Sequence, residues 1–287
     1  MTTLTRVLFA SLSLLALVET AAAQSLTLEK ADYPSSSGSR TIVTADWNQD
    51  GWPDVAIGGV DSSNLSILLN DAGEGLTSAG TVPVGIGPFD MATGDFNRDG
   101  IADLAVANAD SDTLSTLIGG GDGRFTRSNI ATRANPRGIT TGDFNKDGKP
   151  DLAYTAYLAA VVDVLVGDGR GGFTRGWTLS GATQPQGIAT ADFNRDGHPD
   201  LAVASVSSAG LDVWTGPAGN YVRKAITGDS QMNVVATADL NGDGLIDVAT
   251  ASTNRGRVAI YLGTSTASCT GGPSRSGRTR AGSPSPI

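Results

Sequence analysis

A nonapeptide of the form D-x-N-x-D-G-x-x-D occurs five times in this 287-residue chain, and its spacing limits what the chain can fold into. The copies read DWNQDGWPD from Asp46, DFNRDGIAD from Asp95, DFNKDGKPD from Asp143, DFNRDGHPD from Asp192 and DLNGDGLID from Asp239. Their starts are 49, 48, 49 and 47 residues apart. A period of this size belongs to architectures in which one supersecondary unit is stacked on copies of itself. No single unit buries its own apolar face, so neighbours must supply the core.

The residues between the copies define the unit. A short apolar or Thr-rich run precedes each nonapeptide, as in Gly138-Ile-Thr-Thr-Gly and Gly187-Ile-Ala-Thr-Ala. An apolar run starts on its last residue, as in Asp103-Leu-Ala-Val-Ala and Asp200-Leu-Ala-Val-Ala. A third run follows, at Val161 to Val166 or Leu211 to Trp214. In the middle repeats a Gly-rich turn then leads to a fourth, as in Gly167-Asp-Gly-Arg-Gly-Gly-Phe-Thr. Short Val, Ile, Leu and Thr runs bounded by Gly, Asp and Pro read as strands. Four strands in about 48 residues make one propeller blade. The expected fold is therefore all-β, a β-propeller of four-stranded blades with five repeats visible. The fifth repeat ends after its third strand, and Leu26 to Tyr33 stands where a fourth strand would. That segment is expected to complete the last blade and close the ring, which removes exposed strand edges. The alternative is an incomplete seven-bladed ring.

The flanks read differently. Arg6, an apolar run from Val7 to Val18 and Ala21-Ala22-Ala23 ahead of Gln24 form the pattern of a secretory signal peptide. The run is too short to span a bilayer, which takes about 20 apolar residues. The expected division is a signal peptide over 1–23, the repeat domain over 24–263 and a Ser/Gly/Pro/Arg tail over 264–287. The tail holds no acid and almost nothing apolar, so it is expected to be disordered. A secreted or periplasmic location follows, with no stable membrane insertion. Cys269 is the only cysteine, so no intramolecular disulfide can hold an exported fold together. The formal charge of −9 argues against a nucleic-acid partner, whose phosphates are met by Lys and Arg.

Of 29 acidic residues only three are Glu, and fifteen of the Asp lie in the nonapeptides. Positions 1, 3, 5 and 9 offer oxygen donors, and Gly at position 6 permits a positive φ at a sharp turn. Oxygen-rich sets of this kind suit Ca²⁺, which takes six to eight oxygen ligands; Mg²⁺ demands stricter geometry. Position 7 is expected to give its backbone carbonyl, at Trp52, Ile101, Lys149, His198 and Leu245. Position 12 is never Glu (Ile57, Val106, Tyr154, Val203, Thr250), so this is not a helix–loop–helix calcium hand. The competing reading is ordinary turn chemistry, since Asp, Asn and Gly all favour turns. Against it, three carboxylates in nine residues repel one another without a cation. Five Ca²⁺ would carry the formal balance from −9 to +1.

These repeats resemble the FG-GAP, or VCBS-type, repeats of integrin α-subunit propellers and of exported bacterial proteins. The resemblance implies one blade per repeat and about one Ca²⁺ in each loop between first and second strands. The ligands it implies are Asp46, Asn48, Asp50 and Asp54; Asp95, Asn97, Asp99 and Asp103; and Asp143, Asn145, Asp147 and Asp151. They continue as Asp192, Asn194, Asp196 and Asp200, then Asp239, Asn241, Asp243 and Asp247.

No catalytic constellation is visible. His198, the only histidine, sits at a variable loop position, and Glu29 and Glu74 are far apart. Asp110, Asp112, Asp163 and Asp212 would have to meet in the central channel to serve a hydrolase or lyase. A lectin-like reading needs a recurring aromatic platform, but Trp52, Trp177 and Trp214 occupy different places in the repeat, and Trp47 replaces a packing Phe. Trp52 at a loop apex is the most exposed candidate. The expectation is a monomeric, non-enzymatic, calcium-stabilised binding, adhesion or scaffold module with an extracellular protein or glycan as partner.

Overall fold

The computed structural model describes residues 32–206, 210–228, 231–252 and 256–264, in which there are nineteen β-strands and no helix. The signal-peptide segment, most of Leu26 to Tyr33 and nearly all of the tail lie outside the described residues. Blade 1 comprises β1 (Ser39–Ala45), β2 (Asp54–Gly59), β3 (Asn64–Asn70) and β4 (Leu76–Pro83). Blade 2 comprises β5 (Pro88–Gly94), β6 (Asp103–Asn108), β7 (Thr113–Gly119) and β8 (Phe125–Ala131). Blade 3 is β9 (Pro136–Gly142), β10 (Asp151–Ala156), β11 (Val161–Gly167) and β12 (Phe173–Ser180). Blade 4 is β13 (Pro185–Ala191), β14 (Asp200–Ser205), β15 (Gly210–Thr215) and β16 (Val222–Thr227). Blade 5 holds β17 (Met232–Ala238), β18 (Asp247–Ser252) and β19 (Arg257–Tyr261) among the described residues. Each sheet is an antiparallel meander in chain order, and the first strands of successive blades touch. The five blades form a ring, with the first strands innermost. The expected all-β propeller with five blades is thus the observed fold.

The core lies between blades. Trp47, Ala56, Leu65 and Ile67 of blade 1 pack on Met91, Leu104, Val106 and Leu117 of blade 2. Blades 2 and 3 meet through Phe96 and Leu114 against Leu152 and Tyr154. Blades 3 and 4 meet through Phe144 and Val164 against Leu201 and Trp214, and blades 4 and 5 through Leu211 and Val213 against Met232, Val248 and Tyr261. Second strands of the middle blades have neighbours on both faces, so every residue of β6, β10 and β14 is buried. This explains their unbroken apolar runs where a half-exposed strand would alternate. Outermost strands such as β8 have one covered edge and are mostly exposed.

The ninth residue of each nonapeptide begins the second strand and ties the blade together. Asp54, Asp103, Asp151, Asp200 and Asp247 are all fully buried. In each, one carboxylate oxygen accepts the N–H of position 2: Trp47 at 2.8 Å, Phe96 at 2.7 Å, and Phe144, Phe193 and Leu240 at 2.9 Å. The other accepts an N–H at the end of the third strand, from Asn70, Gly119, Gly167, Gly216 or Gly263 at 2.8 to 3.0 Å. Loop, second strand and third strand are thereby clamped by one side chain. Gly suits the third-strand site because a Cβ at Gly167 would lie 2.0 Å from the Pro150 carbonyl oxygen.

Removing such a clamp strands two buried amides, each worth about 1–3 kcal/mol. Asp151→Ala is therefore expected to lower unfolding free energy by about 2–5 kcal/mol in denaturant titrations, with Asp151→Asn losing roughly half. This loss is expected to persist in chelator, because these bonds are to backbone.

Candidate functional sites in the repeat loops and the central cavity

All five loops share one geometry. The position-1 carboxylate takes the amides of positions 5 and 6, as in Asp50 N to Asp46 Oδ1 at 3.1 Å and Gly51 N to Asp46 Oδ2 at 2.8 Å. Asn48 Oδ1 accepts the same Asp50 amide at 3.2 Å, so the oxygens of positions 1 and 3 converge. Position 5 accepts the amide of position 7, as in Trp52 N to Asp50 Oδ1 at 2.8 Å. The pattern repeats at Asp95, Asn97 and Asp99; at Asp143, Asn145 and Asp147; and at Asp192, Asn194 and Asp196. At Asp239, Asn241 and Asp243 it recurs, except that Asp239 Oδ1 takes the Gly242 amide.

Gly at position 6 is left-handed in every loop, with φ from 78° to 89°. Position 4 is also left-handed, at Gln49 (59°), Arg98 (63°), Lys146 (58°) and Arg195 (59°), with Gly242 in the fifth loop. Sequence reasoning missed that second reversal, although Gly242 was its trace. The long position-4 side chains reach the next blade: Arg195 donates to the Gly244 carbonyl, and Arg98 lies against Gly169. Two Gly-rich turns also dock by backbone, Gly123 N to the Trp47 carbonyl at 3.1 Å and Gly171 N to the Phe96 carbonyl at 3.0 Å. The loops therefore form one continuous rim.

The oxygen-only donor chemistry of positions 1, 3 and 5 suits a hard divalent cation. The position-9 carboxylates, by contrast, face inward with both oxygens on backbone amides. Among the described residues, no three His, Cys, Asp or Glu gather tightly enough to hold a metal by themselves. Burial raises the carboxyls of Asp103, Asp151 and Asp200, the last to about 6, although their amide donors oppose the shift. Asp147 is lowered chiefly by the Lys149 ammonium at 3.1 Å, and Asp243 by the Leu245 amide.

The aspartates outside the loops do not meet in the channel. Asp163 is buried beneath Arg133 (2.9 Å), Tyr154 (2.9 Å) and Thr178, and Asp212 pairs with Arg223 at 2.7 Å. Asp112 accepts the Asn135 amide at 2.7 Å, and Asp110 lies against Gly87. Trp47 and Trp214 are core residues, Trp177 stacks on Tyr221 at 6.3 Å, and Trp52 is 45% exposed.

What does line the channel is a cavity of about 490 Å³ bordered by the first strands of all five blades. Six residues before each nonapeptide stand Arg40, Phe89, Arg137, Gln186 and Asn233, one per blade. The Arg40 guanidinium lies over the Phe89 ring at 3.6 Å, and Arg137 lies 5.0 Å from that ring and 3.4 Å from Tyr157. Arg137 Nη1 donates to Gln186 Oε1 at 2.7 Å, and its Nε to Asn135 Oδ1 at 2.8 Å. Beside them Asp90 accepts the amides of Met91 (2.9 Å) and Ile139 (3.1 Å). Its carboxyl is pushed up to about 6, burial outweighing those amides, Thr41 and Arg40. No motif marked Asp90; its one trace is an acid where the other repeats carry Thr41, Gly138, Gly187 and Val234.

A carboxyl raised in the fold binds its proton more tightly there than in the unfolded chain, so its contribution to stability falls as pH rises from about 4 through 6. Asp90→Asn is expected to remove that component, about 1–3 kcal/mol. Wild type should lose stability relative to the variant across this window in melting experiments, and no relative change would refute the assignment.

Comparison with known proteins places these features. A search of curated protein sequences found no match. Among solved structures, a functionally unknown protein from Desulfotomaculum acetoxidans matches at TM-score 0.61 and 12% identity, over 82% of this chain and 69% of that one. A Lactobacillus plantarum protein matches at 0.60 and 14%, over 81% and 69%. The periplasmic gluconolactonase PpgL of Pseudomonas aeruginosa matches at 0.53 and 18%, over 77% of this chain and 65% of its own. At such identities the likeness is one of fold. The FG-GAP-like repeat family matches residues 46–106, 95–154 and 159–203, and the FG-GAP repeat family matches 135–174. With the nonapeptide, its hairpin loop and the blade all in register, this chain belongs to the FG-GAP repeat proteins.

Proposed function

We propose that this chain is an exported, calcium-stabilised binding or scaffold module whose partner is an extracellular protein or glycan. One observation carries the reading: five loops share a single backbone geometry while the residues at position 4, all exposed, and at position 7, exposed at Trp52 and half-buried in the other four, differ from blade to blade. Position 4 is Gln49, Arg98, Lys146, Arg195 and Gly242, and position 7 is Trp52, Ile101, Lys149, His198 and Leu245. Rigid backbone with variable surface chemistry is how repeat scaffolds present binding sites.

Calcium would be held in each loop by the side chains of positions 1, 3 and 5 and the carbonyl of position 7. The position-9 carboxylate would close the inner side through the lone pairs that its two amide bonds leave over. The ion would offset the repulsion of loop carboxylates. The channel supports binding better than catalysis: among the described residues it has one carboxylate, Asp90, held by amides, and no histidine or glutamate. The gluconolactonase likeness concerns fold and assigns no activity here.

Metal bound only to the native state stabilises it by mass action, about 2.7 kcal/mol per site at a hundredfold excess over Kd. Melting temperature is expected to fall sharply when calcium is replaced by chelator, with about five ions bound per chain by metal analysis. Asp147→Ala is expected to lower it only when calcium is present. An equal loss in chelator, or no bound metal, would sink the calcium reading. Export is tested separately: N-terminal sequencing of the secreted protein should read from about Gln24.

A further inference from the structure

The first strand of every blade carries a β-bulge at one place. The register jumps from Ser39 to Thr41, from Pro88 to Asp90, from Pro185 to Gly187 and from Met232 to Val234, so it skips Arg40, Phe89, Gln186 and Asn233. In blade 3 the jump falls between Pro136 and Ile139, which includes Arg137. A bulge re-aims a side chain and interrupts pairing. Here Arg40, Phe89, Gln186 and Asn233 border the central cavity, and Arg137 joins them through the Phe89 ring and Gln186. The bulge is common to the repeat, but the residue it presents is not.

Two of the five are arginines that share one aromatic neighbour. Arg40 sits on Phe89 without a hydrogen bond or ion pair to any described residue, so its five N–H donors are uncommitted. Arg137 spends two donors on Gln186 and Asn135 and is clamped on Tyr157. The carboxylates facing the pair are Asp90 and, in the turn after β6, Asp110; neither bonds to either guanidinium. Two guanidinium groups on one ring repel each other, and the fold holds them there with a cation–π contact and no salt bridge.

We propose that this mouth is a binding site for a small molecule bearing an oxyanion, a carboxylate or a phosphate, taken jointly by Arg40 and Arg137. Planar guanidinium forks match both groups in two-point geometry. The fixed Arg137 positions the anion, and Arg40 supplies the free donors. Gln186 and Asn233 border the cavity on blades 4 and 5 and suit a ligand body with hydroxyl groups. The cavity volume is in the range of small-ligand sites. This site is independent of the loops and of any metal in them.

The test is calorimetric titration of the whole protein, freed of unbound calcium and in low salt, with inorganic phosphate, with gluconate and with uncharged glucose. Binding of phosphate or gluconate with Kd of about 1 mM or tighter is expected, and no binding of glucose. Arg40→Gln is expected to weaken the anion about tenfold or more, with Arg40→Lys intermediate. Without ligand, Arg40→Gln is expected to melt at or above the wild-type temperature, because one repelling charge is gone. Which probe binds tells whether the site takes a phosphate or a carboxylate. Glucose binding as tightly as gluconate, no binding of either anion up to about 20 mM, or unchanged affinity in Arg40→Gln would overturn the proposal.

Discussion

The structure depends on one interaction made five times: a buried aspartate whose two oxygens clamp backbone amides from opposite sides of a hairpin. Burying a carboxylate is costly unless it is fully hydrogen-bonded, and here the donors are fixed by the fold. Asp54, Asp103, Asp151, Asp200 and Asp247 each grip position 2 and the end of the third strand, so every loop is tied to its blade at the same two points. The aromatic at position 2 is thereby pressed into the next blade, as Phe96 and Phe144 are. The clamp that shapes the loop also seats the core between blades.

That coupling divides the repeat into constant and variable parts. Backbone, clamp and inter-blade core are held constant, because any slip would expose strands such as β6 and β10 that are buried along their whole length. The outward side chains of the loops and the bulged residues of the first strands carry no such burden. They are where blades differ: at the loop rim in Trp52, Lys149 and His198, and around the cavity mouth in Arg40, Phe89 and Arg137.

The two regions call for different chemistry. The rim is acidic and oxygen-rich, suited to cations and to contacts spread over several blades. The mouth brings two guanidinium groups to one ring and has a single raised carboxyl, Asp90, beside them. Neither region shares a residue with the other.

The sequence by itself determined the repeat, its period, the strand order and the loop chemistry. All of these are local: each is carried by residues within one repeat, and five copies multiply a signal that one would leave ambiguous. Trp47 as a core residue was legible for the same reason, because it stands where Phe96 and Phe144 stand. Only the tertiary structure decided that position 9 is a clamp to a strand sixteen residues on, that position 4 is left-handed in Gln49, Arg98, Lys146 and Arg195, and that Asp163 and Asp212 are neutralised by arginines away from the channel. It alone brought Arg40, Phe89 and Arg137 together. They lie about one repeat apart, each is unremarkable where it stands, and no periodic signal marks residues that differ from blade to blade. Closing strands into a ring makes neighbours of positions that the chain keeps far apart, and the cavity exists only once that has happened.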